Sequence, residues 1–396
     1  MRRNVLLGSC LALALGALGC QEQSSAPTAP PAGTPQATLK SGTFERLHRE
    51  GGRPKLPSSA RMSDQHIPDA VRGAINPGDY VCPASTPVVD WYIGKLLETA
   101  NAEFDIFSLL YLELWADYIP TYEAAYFLTD DTPQVFGYNG EYTKVLQKTH
   151  RDVKRFWDIY SDDIQLLAMK GSMLLDVDRV ARTYQLPFAP PPPFQGLPEA
   201  EAIAAAEAIR EALLESETLD GGNHPMFSFN AFAFATDDGS LPDKIVMGDG
   251  ILAGYEAMGF QDVAPQAIYA HEFAHHIQIE NDYFSDPVPG ATTVAELTRY
   301  TELMADAMAA YYLTHKRGGA MNRKRVEQFL EVFFQIGDCG FTSDGHHGTP
   351  NQRMAAAQFG FDVADDAQKQ GHILTSEQFH DLFVAEYPEL IAPDAT

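Results

Sequence analysis

Positive charge is scarce in this chain: 28 Lys and Arg stand against 54 Asp and Glu, a formal net charge of -26. Nucleic-acid binding depends on basic surface, as does adhesion to anionic lipid headgroups, so no nucleic-acid partner is expected. The acidity reads as a solvated, soluble surface. Cysteine is scarcer still, with four in 396 residues, and two of them fall in the first twenty. The other two, Cys82 and Cys339, are too few and too far apart to make a zinc site; they form either one disulfide or two buried thiols. Beyond residue 20 no apolar run is long enough to cross a bilayer, and no internal repeat is present. Hydrophobic residues still make up 45% and aromatics 11% of the chain. That is the composition of a globular protein, with length enough for a sizeable core or two compact units.

The first twenty residues, MRRNVLLGSCLALALGALGC, read as an export signal: Arg2 and Arg3, then a short apolar run. The Gly19-Cys20 ending resembles the lipobox of bacterial lipoproteins, although Ala17 and Leu18 depart from its usual pattern. The resemblance implies a lipidated Cys20 and a place in the envelope, on the periplasmic side of the outer membrane or at the cell surface. Without lipidation the chain would be periplasmic or secreted. Residues 21–78 follow as a tether, their first part rich in Pro, Ser, Thr, Ala and Gln, too poor in apolar residues to offset ordering entropy.

Residues 79–220 read as a helical region. Both VVDWYIGKLLETANAEFDIFSLLYLELWADYI and the long stretch from Tyr142 to Tyr184 space their apolar residues by three and four. LPFAPPPPFQGLP, residues 186–198, breaks the pattern as a rigid spacer before a further helix. Residues 221–396 form a second unit. MFSFNAFAFATDDGS alternates with period two and DKIVMGDGIL reads as a second strand, so the two suggest a hairpin. Helices are expected at about 251–259, around IYAHEFAHHIQIEND, and at about 291–315 and 322–337.

In HEFAH, His271 and His275 stand four residues apart. On a helix that places both imidazoles on one face, close enough to share a metal ion. Glu272 can reach a water at that ion and act as a general base. A catalytic site of this kind needs a third protein ligand. Glu302, 27 residues past His275, offers one on the next long helix, with Asp306 four residues further to accept the second ring N–H of a ligating histidine. Glu296 is the rival, but lacks an acid at the same offset. Ala305, Ala307, Ala309 and Ala310 would let the two helices approach closely. Late in the chain, IGDCGFTSDGHHGTPNQR carries His347 and Arg353, either of which could face charge developing on a substrate oxygen. The alternative is an Arg that holds the carboxylates of the site.

HEFAHHIQ, ELMADAMA, IGDCG and HHGTPNQR with its later FGF resemble, in that order, the motifs of the bacterial neutral zinc metallopeptidase family, which belongs with the gluzincins. FNAFAF followed by KIVMGDGIL is similar to the strand pair of minimal gluzincins such as the CAAX and heat-shock peptidases. The resemblance covers roughly residues 226–362. It implies one Zn2+ held by His271, His275 and Glu302, with Glu272 as base, Asp306 behind the ligands, and His347 and Arg353 as a late functional pair. Phe273, Ala274 and Cys339 depart from the family pattern at positions away from the ligands.

The expected fold is α+β and predominantly helical: a zincin-like, minimal-gluzincin core with a short antiparallel sheet, preceded by the helical region. The expected activity is zinc-dependent endopeptidase action on a peptide or protein substrate. That substrate would add to a strand edge at Asn230, Ala231 and Phe232 (the 230–234 strand) or at its partner, 244–249. A zinc-bound but silent envelope binding protein is the competing expectation, and hydrolysis of a non-peptide bond a third.

Overall fold

The computed structural model describes residues 85–103, 118–187, 196–236, 239–285, 288, 294–335, 337, 347–370 and 372–392. Cys20, Cys82, Cys339, the tether, the Pro-rich run at 188–195 and most of the loop before His347 lie outside these residues.

The first part of the described chain is mostly helical: α1 (Pro87–Ala102), α2 (Tyr118–Tyr126), α3 (Thr143–Phe156), α4 (Val177–Tyr184) and α5 (Glu199–Glu215). Pro87 opens α1, where a missing N–H costs nothing. Asp176 caps α4 by accepting the N–H groups of Asp178 and Arg179. Between α3 and α4, however, residues 165–169 form a strand, β1 (Gln165–Met169), inside the stretch expected to be helical throughout. The reason is burial on both faces. QLLAM carries no polar alternation, and a short apolar run of this kind cannot be told from a helix segment by its period.

The second part contributes β2 (Ala231–Phe234), β3 (Lys244–Gly248), α6 (Asp249–Ala257), α7 (Ala264–Glu280), α8 (Val294–Thr314), α9 (Arg323–Gln335), α10 (Pro350–Gln370) and α11 (Ser376–Leu390). β2 and β3 pair antiparallel, Phe232 opposite Val246. β1 lies on the other side of β3 and runs parallel to it, Leu167 opposite Val246. The sheet is therefore mixed, in the order β1-β3-β2, rather than the short antiparallel sheet expected. It follows that β3 is central and cannot offer an edge to a substrate, and that Asp249 begins a helix. The edge strands are β1 and β2.

Alternation along the strands sorts side chains between two apolar layers. Leu166, Ala168, Ala231, Ile245 and Met247 join the main core. Leu167, Met169, Phe232, Phe234 and Val246 face Tyr122 and Tyr126 of α2 on the opposite side. Lys244 is buried at the start of β3 and its ammonium donates to the carbonyls of Ala125 and Leu128 at 2.7 and 2.9 Å, closing the negative end of α2. The main core is continuous through both parts of the chain: Val88 and Val153 belong to it together with Phe273, Leu303, Phe329 and Phe383.

α7 runs through the middle, and every residue from Ala267 to Gln278 is buried. A helix buried all round normally carries no polar residues; this one carries five. α8 lies along it, its Ala305, Ala307, Ala309 and Ala310 all buried. On the far side of α8, α10 crosses at Gly360, where an added methyl group would overlap the Ala307 carbonyl oxygen. Gly360→Ala should therefore separate α8 from α10 and cost about 1–3 kcal/mol, as overpacking does, read as a lower urea midpoint with an unchanged slope. No helix among the described residues is long and apolar enough to cross a membrane.

Candidate metal centre

The four-residue spacing on α7 puts His271 and His275 one turn apart, and their Nε2 atoms lie 3.1 Å from each other. α8 delivers Glu302 to the same point. Its Oε2 is 3.3 Å from His271 Nε2 and its Oε1 is 3.5 Å from His275 Nε2. One ligand atom from each of the three residues falls within 4.8 Å of the others, so the buried trio could hold a metal ion.

The hydrogen bonds behind the imidazoles decide what the ring nitrogens can do. His271 Nδ1 lies 2.9 Å from Asp306 Oδ1, and a carboxylate can only accept, so Nδ1 carries the proton. His275 Nδ1 lies 2.9 Å from Gln278 Oε1. The amide of Gln278 is oriented in turn, because its Nε2 donates to the Thr301 carbonyl at 2.7 Å. Both Nε2 atoms are thereby left as lone pairs, aimed at each other and at a carboxylate. Such a donor set suits a divalent cation, which replaces mutual repulsion with three attractions.

Electrostatics agree. Burial by itself would lower His271, but the hydrogen bonds it donates to Asp306 and Glu302 outweigh it and raise the ring to about 10: the two carboxylates favour positive charge here, a proton on Nε2 or a metal in its place. Burial lowers His275 to about 4, keeping it neutral. Burial would raise Glu302, yet His347, His275 and His271 hold it well below the usual carboxylate range.

Glu272 is buried beside the trio. One of its oxygens, Oε2, has no hydrogen-bond partner among the described residues, although the Ala233 backbone N–H donates to the carboxylate. Burial pushes it up to about 7, against the lowering effect of His271. The Ala233 contact follows from the sheet. Asn230 accepts from the Gly248 N–H, so alternation turns the backbone groups of Ala231 and Ala233 outward, away from β3 and toward α7.

Arg353, at the start of α10, grips Asp306 with both prongs, Nε to Oδ2 at 2.7 Å and Nη2 to Oδ1 at 2.6 Å. Its Nη2 is also 3.7 Å from Glu302 Oε2. This geometry belongs to the second of the two roles considered for it, an Arg that holds the carboxylates. His347 is buried and near enough to Glu302 to depress it. Glu296 sits in the first turn of α8, outside the trio. Phe232 faces α2 and not the centre. The third histidine of the stretch, His276, serves the scaffold: its ring nitrogens meet Asp243 at 3.1 Å and the Lys244 carbonyl at 2.9 Å, tying α7 to β3.

Sequence reasoning missed Gln278. The available signal was a polar residue three positions after His275 and seven after His271, on the helix face that carries both histidines. Compared with known proteins, the chain matches no family model, no curated protein and no solved structure.

If the trio holds a metal, Gln278→Ala should weaken its binding by about 10- to 100-fold, the usual cost of removing the partner that orients a ligating imidazole. Gln278→Glu, which keeps the acceptor, should lose less. Competition with a chromophoric chelator measures both.

Proposed function

We propose that this chain is a zinc-dependent endopeptidase of the bacterial cell envelope, related to the neutral zinc metallopeptidases and minimal gluzincins that its motifs resemble. The observation that carries this reading is Glu272: a buried carboxylate with a bare oxygen, beside two histidines and a glutamate whose ligand atoms converge. A structural metal site has no use for such a group.

Zinc, when bound by His271, His275 and Glu302, supplies a Lewis acid that polarises a peptide carbonyl and acidifies water. Glu272 accepts the proton of the attacking water and returns it to the departing amine nitrogen. With its acidity pushed to about 7, it gives and takes that proton with little bias near neutrality. The Ala233 N–H fixes its orientation. Asp306 and Gln278 hold the two imidazoles in the ligating tautomer, and Arg353 holds Asp306. His347 is the candidate to face negative charge on the carbonyl oxygen. An extended substrate would lie along the β2 edge that includes Asn230 and Ala231, pairing with the outward backbone groups that Glu272 does not use. Cys20 would anchor the enzyme to the membrane through lipid, with residues 21–78 as the tether.

The competing reading, a silent zinc-holding binding protein, draws on the burial of the site, the ligand His271 and the proposed base Glu272 being only 4% and 3% exposed. The two separate in one experiment. The chain from residue 21 and its Glu272→Gln variant, both with zinc content confirmed, are given an unfolded protein. Cleavage by the parent should fall by about 10²- to 10⁴-fold in the variant, and a chelator should abolish it until zinc is restored. Equal cleavage by both would remove Glu272 from the mechanism; no cleavage by either would favour the binding protein.

A further inference from the structure

α7 ends in a turn that places an aromatic ring beside one of the candidate metal ligands. Phe284 is 46% exposed, yet its ring lies 6.4 Å from that of His275, centroid to centroid, at 29°. That is an offset stack of the phenyl ring with a candidate ligand imidazole. The turn that places it is tied down on several sides. Asp282 adopts φ +57°, a left-handed conformation that Asp tolerates and that reverses the chain after α7. Its carbonyl accepts the Ser285 N–H at 3.0 Å and its carboxylate accepts the Ser285 hydroxyl at 2.7 Å. The neighbouring Tyr283 is buried, its ring stacked 3.9 Å from His380 of α11 at 9°. His380 Nε2 is in turn 3.2 Å from the Tyr300 hydroxyl on α8. The phenyl ring is thus exposed because the fold holds it there. Elsewhere in the turn the aromatic residue is packed away.

We infer that Phe284 is a specificity-determining residue, forming the apolar wall that receives the side chain of a peptide residue next to the bond cleaved. The inference rests on the peptidase reading above and adds a substrate preference to it, for chains with aromatic or large aliphatic residues at the scissile position. The geometry favours this over a simple shield for His275. A shield needs only to be buried, whereas this ring keeps nearly half its surface available beside a histidine that is itself buried. An apolar side chain laid against it would remove water from both surfaces and from the space beside the metal ligands.

Parent, Phe284→Ser and Phe284→Leu proteins, matched for zinc content, would digest reduced and carboxymethylated albumin, with cut sites mapped by mass spectrometry. The parent should cut next to large apolar residues. Phe284→Ser should lose that enrichment by about tenfold, the scale of one apolar pocket contact, and Phe284→Leu should restore most of it. In parallel, the zinc-loaded Glu272→Gln protein should bind a Phe-containing peptide more tightly than its Ser-containing twin, and adding Phe284→Ser should erase the difference. An unchanged cut-site distribution with unchanged peptide binding overturns the inference and leaves the peptidase intact. A change in zinc affinity without a change in preference makes the ring a shield and also overturns it. If parent and variants all fail to cut, the peptidase reading falls and takes this inference with it.

Discussion

Two imidazole lone pairs converge with a carboxylate inside a helix pair from which water is almost excluded, and most of the surrounding structure serves to keep them there. Neither lone pair would be where it is without its Nδ1 partner. Asp306 holds one ring, Gln278 holds the other, and each partner is itself held, by Arg353 and by the Thr301 carbonyl. Since Asp306 and Glu302 share α8 while Arg353 opens α10, the centre also fastens three helices to one another. Positive charge between the Nε2 atoms would stabilise both the site and the packing around it.

The sheet contributes at the opposite side. β2 brings small residues, Ala231 and Ala233, to the face along which α7 passes, so that a backbone N–H can reach the Glu272 carboxylate directly. His276 then ties the same helix to Lys244 on β3 and to Asp243 just before it. The ligands are therefore set by helix-to-helix contacts and the proposed base by a strand edge. Burial acts differently on each group. It lifts Glu272 toward neutrality and keeps His275 uncharged, whereas Glu302 stays ionised because three histidines surround it.

Much of this was legible in the chain. A helix with histidines four apart needs only the α-helical period to align them, and Glu302 with Asp306 needs only the same period on the next helix. The pairing of residues 231–234 with 244–248 followed from alternation and a turn. β1 was not legible, because a strand buried on both faces has no period to read. Its parallel place beside β3 depends on the two segments meeting across some eighty residues, and that pairing turned an antiparallel sheet into a mixed one and moved Lys244–Gly248 from an edge to the centre.

The sequence by itself determined which residue types could meet: the local spacings on α7 and α8 come from backbone geometry and need no tertiary contact. Tertiary structure decided the directions of their hydrogen bonds. Whether Arg353 faces a substrate or grips Asp306, whether His276 joins the trio or the sheet, and which residue orients His275 all depend on distances between elements far apart in the chain. Helical and strand periods carry no such distances; they arise only when α7 is packed between the sheet and α8, and α8 against α10.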